Sequence, residues 1–219
     1  MNITWLGQSC FKFEEKIGSN TVTVITDPYN NSIGLKMSKI KADLVSVSHD
    51  HEDHNNISAI ESADENDLVI IDRPGEYEVK GVFVYGIGAY HDKKQGSERG
   101  KTNMFLFEIA GINILHLGDL AVPLSDKQLE KIGEVDILLI PVGGKETLNA
   151  QEAVDVVSQI EPRIVIPMHY KIPGLELDIE TVDKFKSLMG GKAEVLPKYK
   201  IAKKDLPPED IQLIILEKS

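Results

Sequence analysis

Short apolar runs punctuated by turn residues fill most of the chain, and few stretches carry a helical period. Residues 2–6, 11–14 and 21–26 read as strands, separated by Gly7-Gln8-Ser9 and Gly18-Ser19-Asn20. A polar excursion without strong periodicity follows at 30–41. Leu44-Val45-Ser46-Val47-Ser48 then alternates apolar and small polar residues, as a strand entering a core does. Residues 57–62 read as a short helical piece and 68–71 as a strand. Residues 77–85 form a hairpin bent at Lys80-Gly81, and 103–109 with 112–117 form another around Ala110-Gly111.

Beyond residue 118 helical patterns appear. Ser125 and Gln128 make a capping box for a helix that Gly133 stops. Asn149 and Glu152 cap the clearest helix, whose apolar stripe runs through Ala150, Ala153, Val154, Val157 and Ile160. The wholly apolar runs 137–140 and 164–168 read as buried strands. Asp178 is expected to cap a last helix, with Val182, Phe185, Leu188 and Met189 inward and Gly190-Gly191 at its end. A charged, proline-containing connection joins the final strands, 194–196 and 211–216. Strands alternating with helices describe a layered α/β protein, expected as one domain over residues 1–219.

Composition narrows the function. The hydrophobic fraction of 42% is ample for a core, and the net charge of -11 argues against a broad nucleic-acid surface. Cys10 is the only cysteine, which excludes an internal disulfide and a thiolate metal cage. No basic leader opens the chain, and no apolar run approaches the roughly 20 residues of a membrane helix, so a cytoplasmic location is expected.

The chemistry is concentrated between Val47 and His54. There His49, His51, Asp53 and His54 fit the pattern H-x-H-x-D-H at the end of a strand. Neutral imidazole and carboxylate are the ligand set of zinc and similar borderline metals. Four such side chains divide into two incomplete half-sites, and His91, His169 and Asp119 would complete them. Gly118 would let the chain turn sharply and present Asp119. His116 is then the odd histidine, expected behind the ligands or in the core. Asp27, before Pro28, reads equally as a site residue or an ordinary turn. The loop 92–101 reads as mobile and solvated, with Arg99 a candidate for an anion on substrate because guanidinium suits phosphate or carboxylate.

These motifs resemble the metallo-β-lactamase superfamily, whose five ordered motifs all have counterparts along nearly the whole chain. The resemblance implies a four-layer αββα sandwich with metals at one edge of the sheets. It implies that His49, His51 and His91 hold one metal, that Asp53, His54 and His169 hold the second, and that Asp119 bridges both. Asp27 would support them from behind. Ile-Thr-Trp-Leu-Gly-Gln-Ser-Cys at the start, Thr-Asp-Pro and Ile-Pro-Met-His-Tyr are similar to a branch that includes L-ascorbate-6-phosphate lactonase. Many of those relatives carry His where this chain has Gln8, beside the site and a candidate for touching substrate.

The expected activity is metal-dependent hydrolysis. A hydroxide shared by two divalent cations, Zn2+ in the first instance with Mn2+ or Fe2+ as alternatives, would attack a small lactone, phosphoester or phosphodiester. Asp53 and Asp119 would serve the reaction directly. The expected partner is a small-molecule substrate, anionic if Arg99 binds it, with oligomerisation left open. Iron-dependent redox chemistry on the same ligands and a non-catalytic metal-binding protein are the alternatives.

Overall fold

The computed structural model describes every residue except 66 and 209. Residue 209, in the charged connection near the C-terminus, therefore lies outside the described residues. The chain begins as an antiparallel meander of β1 (Asn2–Gly7), β2 (Cys10–Ile17) and β3 (Asn20–Thr26). Side-chain alternation in these strands feeds two cores. Phe11, Phe13, Val22 and Val24 face the larger one, while Cys10 and Ile25 face a smaller one outside the sheet.

Four short strands follow: β4 (Ile40–Ala42), β5 (Leu44–Ser46), β6 (Ile60–Ser62) and β7 (Val69–Ile71). β5 joins β3 in parallel, and β7 joins β5. The pairing of β4 with β6 corrects two expectations. Residues 57–62 are a 3-10 turn, Ile57–Ala59, running into a strand, and the excursion 30–41 contains another. Strands of three residues show no readable period, because the partner selects them.

Next come β8 (Gly75–Val79), β9 (Val82–Tyr90), β10 (Lys101–Ile109) and β11 (Ile112–His116), all antiparallel. The chain then alternates α1 (Asp126–Ile132), β12 (Ile137–Pro141), α2 (Ala150–Ile160), β13 (Ile164–Met168) and α3 (Asp183–Leu188). β14 (Glu194–Leu196), β15 (Tyr199–Lys200) and β16 (Gln212–Leu216) close it.

One sheet has the order β15-β1-β2-β3-β5-β7 and the other β14-β16-β13-β12-β11-β10-β9-β8. Their facing sides and the inner faces of α2 and α3 share the larger core, where Phe13 meets Phe107 edge-on at 5.5 Å. The smaller core lies under the 3-10 turns and the β4–β6 pair. This is the α/β sandwich of the metallo-β-lactamase type that the resemblance implies.

The helices follow their caps. The Asn149 side chain accepts from the backbone N–H groups of Gln151 and Glu152, and Glu152 accepts from that of Asn149. The buried face of α2 is Ala150, Ala153, Val156 and Val157, so Val156 joins the expected stripe while Val154 and Ile160 sit half-buried at its flanks. Asp178 does not cap α3, which starts after Val182, and its side chain pairs instead with Lys145. Phe185 anchors α3, whereas Leu188 is 44% exposed. A helix this short buries little beyond one anchor.

Strand direction places the function. β1, β3 and β5 run one way in the first sheet, as β9, β11, β12 and β13 do in the second. Their C-terminal ends deliver Gln8, Asp27, His49, His91, Asp119 and His169. Phe107→Ala is expected to lose about 3–5 kcal/mol in denaturant unfolding, as large-to-small core changes do. Leu188→Ala should stay within about 0.5 kcal/mol; a larger loss there would restore Leu188 to the core.

Candidate metal centre

The site begins at a fully buried carboxylate. Asp27 follows β3 at φ 39, a left-handed conformation unusual outside glycine. Its Oδ1 accepts the backbone N–H of Ser48 at 2.7 Å. Its Oδ2 accepts the Ser48 hydroxyl at 2.7 Å and the Nδ1–H of His54 at 2.9 Å. The Ser48 oxygen is then free to accept His49 Nδ1–H at 2.9 Å. One acid thus fixes two imidazoles with Nδ1 protonated and Nε2 turned away as a lone pair, as ligation requires.

The turn between β1 and β2 holds the other side. The Gln8 carbonyl accepts Trp5 Nε1–H at 2.9 Å and His169 N–H at 3.1 Å. Gln8 and His169 are both in the left-handed region, at φ 51. The Gln8 side chain donates through Nε2 to Asp53 Oδ2 at 2.9 Å, so it stands buried behind that carboxylate. His116 Nε2–H donates to the Ser9 carbonyl at 2.8 Å, and its Nδ1 accepts Gly118 N–H at 3.1 Å. His116 therefore ties this turn to the one presenting Asp119. Gly118 is required there: at φ +54, a Cβ would lie 2.8 Å from Asn103 O and from Ser48 Cβ. Gly143 is required beside His169, whose carbonyl would lie 2.2 Å from an added Cβ.

Two groups of potential ligands result. His49, His51 and His91 form one, and Asp53, His54, Asp119 and His169 the other. The His49 and His51 nitrogens approach to 2.9 Å. Asp119 Oδ2 lies 3.3 Å from Nε2 of His54 and of His169, 3.5 Å from that of His91 and 3.9 Å from that of His49. His54 Nε2 is also 3.3 Å from Asp53 Oδ2. Ligands about 2.0–2.1 Å from a tetrahedral zinc stand about 3.3 Å from one another, so these spacings fit a cation in each group, with Asp119 close to both. His54 Nε2, His91 Nε2 and Asp119 Oδ1 are buried without hydrogen-bond partners among the described residues. Buried polar atoms rarely lack partners, and a cation between them supplies one. The chain carries a dinuclear metal-binding motif.

Electrostatics follows the crowding. Burial opposes a charge on His54, but in the metal-free protein Asp119 and Asp53 outweigh it and hold its pKa well above the ordinary value, so a cation at Nε2 would displace a proton to reach the lone pair. Burial likewise works against the Asp119 carboxylate, yet His169 and His54 keep it well below the usual range. Burial and then the charge of His54 push His49 down to about 3.

The loop after His91 is largely exposed, as expected of a solvated segment, but one buried side chain organises its backbone. Buried Asp92 gathers it, accepting the backbone N–H groups of Lys94, Gly96, Glu98 and Arg99 at 2.7–3.1 Å. Lys93 pairs with Glu152 and Lys94 with Glu98. Arg99 reaches Glu146 at the mouth of a cavity of about 440 Å³, which His51, Asp53, His169 and Lys145 also line. Ser48, Ser9, Lys145 and Glu146 had no motif to mark them. Only the position of Ser48 directly before His49 hinted at its part.

The profile of the beta-lactamase superfamily domain matches residues 2–169. The chain belongs to the metallo-β-lactamase superfamily. It is 31% identical over 223 residues to the UPF0173 metal-dependent hydrolase of Thermococcus onnurineus, covering 90% of this chain and 95% of that protein. A UPF0173 protein of Pyrococcus abyssi is 32% identical over 190 residues, 78% of this chain and 83% of its own. A crystal structure from this superfamily, of a Thermotoga maritima protein, superposes with a TM-score of 0.78 at 32% identity over 99% of both chains. Among the described residues no helix is long and apolar enough to cross a membrane.

His116 supplies a pH signature separate from any metal. Burial lowers its pKa in the fold. In metal-free protein the unfolded state therefore binds this proton more readily, and stability falls as pH drops below about 6.5. His116→Gln should flatten that slope in denaturant titrations between about pH 7 and 5. An unchanged slope would show that His116 titrates alike in both states.

Proposed function

We propose that the protein is a dinuclear metal-dependent hydrolase acting on a small lactone, phosphoester or phosphodiester. In this reading His49, His51 and His91 hold one divalent cation, and Asp53, His54 and His169 hold the other. Asp119 bridges them. The observation that carries it is the position of Asp119 Oδ2, 3.3–3.9 Å from imidazole nitrogens of both groups. Zinc suits this all-nitrogen-and-oxygen set, with manganese or iron as substitutes. The names of the Thermococcus and Thermotoga relatives, a metal-dependent hydrolase and a candidate Zn-dependent hydrolase, support the same class.

When bound, the two cations would supply Lewis acidity toward a carbonyl or phosphoryl oxygen and hydroxide at neutral pH. The chain supplies orientation and a place for the proton. Asp27 and Ser48 hold His54 and His49 in the ligating tautomer. Gln8 fixes Asp53, whose side chain is 20% exposed against 4% for Asp119. Asp53 is thus the carboxylate that faces the cavity, placed to take the proton released as the nucleophile attacks. Arg99 and Gln8 differ in reach: Arg99 lines the cavity, while Gln8 acts on substrate only through Asp53.

Elemental analysis after loading at neutral pH should give close to two divalent cations per chain, together with hydrolysis of chromogenic lactones or phosphodiesters. His169→Ala should keep one cation and lose most turnover, whereas His116→Gln should keep both. Asp27→Asn should weaken cation binding by about 10–100-fold, as loss of an outer partner does. No bound metal after loading, or full affinity in His169→Ala, would contradict the reading.

A further inference from the structure

Two ion pairs cross the mouth of the metal-centre cavity. Arg99, from the loop that Asp92 gathers, pairs with Glu146, and the adjacent Lys145 pairs with Asp178. Residues 145 and 146 thus stand between two other segments, and both cations line the cavity with His51, Asp53 and His169. We infer that Arg99 and Lys145 bind a terminal oxyanion, phosphate or carboxylate, on the substrate, which takes the places of Glu146 and Asp178. This inference rests on the hydrolase reading of the same site.

The two cations are held firmly at their bases and loosely at their heads. The Arg99 backbone N–H donates to Asp92 Oδ2 at 2.8 Å. Lys145 leaves the tight Gly143-Gly144 turn in the left-handed region, at φ 58, and Gly143 packs against the His169 carbonyl. Their partners are open to water: the side chain of Glu146 is 48% exposed and that of Asp178 is 94% exposed. Exposed pairs of this kind contribute little, so exchanging either carboxylate for a ligand oxyanion sacrifices almost nothing. A guanidinium fork and a point-like ammonium suit an oxyanion, the fork setting its orientation.

Two further carboxylates line the cavity, and Asp53 is one of them, lying among the potential metal ligands. Glu52 is the other, and its carboxylate accepts the Ser32 hydroxyl at 3.3 Å. In a chain with 35 acidic and 24 basic residues, two cations facing the space above the metal ligands mark that space for an anion.

The test is calorimetric titration of zinc-loaded protein with phenylphosphonate and with benzoate, neither of which can be hydrolysed. Arg99→Gln and Lys145→Gln should each weaken binding of the preferred anion by about fivefold, while Glu146→Gln and Asp178→Asn should tighten it by a similar factor. Whichever probe binds tighter identifies phosphate or carboxylate as the natural group. These opposite signs separate the mouth from direct coordination to zinc. If all four variants bind both probes within twofold of wild type, the anion sits on the metals alone and the inference is overturned. Binding is read without turnover, so absence of hydrolysis would count against the hydrolase reading while leaving this result interpretable.

Discussion

The site depends on one buried acid. Asp27 is fully enclosed, and three donors, the Ser48 N–H, the Ser48 hydroxyl and His54 Nδ1–H, neutralise the cost of burying it. Burial would by itself raise its pKa, but His54 and then His116 keep the carboxyl below its usual range. The same bonds order the loop from Val47 to His54, since His54 can turn its ring only where Asp27 accepts from it. A backbone at φ 39 is tolerated because that network over-determines it. Here local strain and metal-ligand geometry are one constraint.

A second hub lies at the same edge of the same sheet, in the turn between β1 and β2. The turn Gly7-Gln8-Ser9 receives Trp5, His169 and His116 on its two carbonyls and reaches Asp53 with an amide. The candidate ligands Asp53 and His169 are thereby held to one short turn. The strands need only end at the same edge, and the turn aligns them. Gly118 and Gly143 then permit the close approach of backbone that brings Asp119 and His169 inward.

Much of this was legible in the sequence, for physical reasons. Three imidazoles and a carboxylate crowded into His49–His54 marked a candidate metal site, and His91, Asp119 and His169, at the ends of other strands, are the residues that the fold gathers around it. The long strands and α2 showed their periods. What escaped was structure chosen by partners. β4 and β6 are too short to show a pattern, and the helix expected to begin at Asp178 begins after Val182 because Phe185 is its one buried anchor. The part of Asp92 in the exposed 92–101 loop also escaped, because it acts through backbone N–H groups that nearly every residue possesses. Ser48 and Lys145 act through neighbours distant in the chain or unmarked by type.

The most direct measurement is a crystal structure of zinc-loaded protein with anomalous scattering recorded at the zinc edge. The account predicts two peaks about 3.5–4 Å apart, flanking the Asp119 carboxylate, with His116 still bonded to the Ser9 carbonyl. A single peak, or zinc bound to His116, would contradict it.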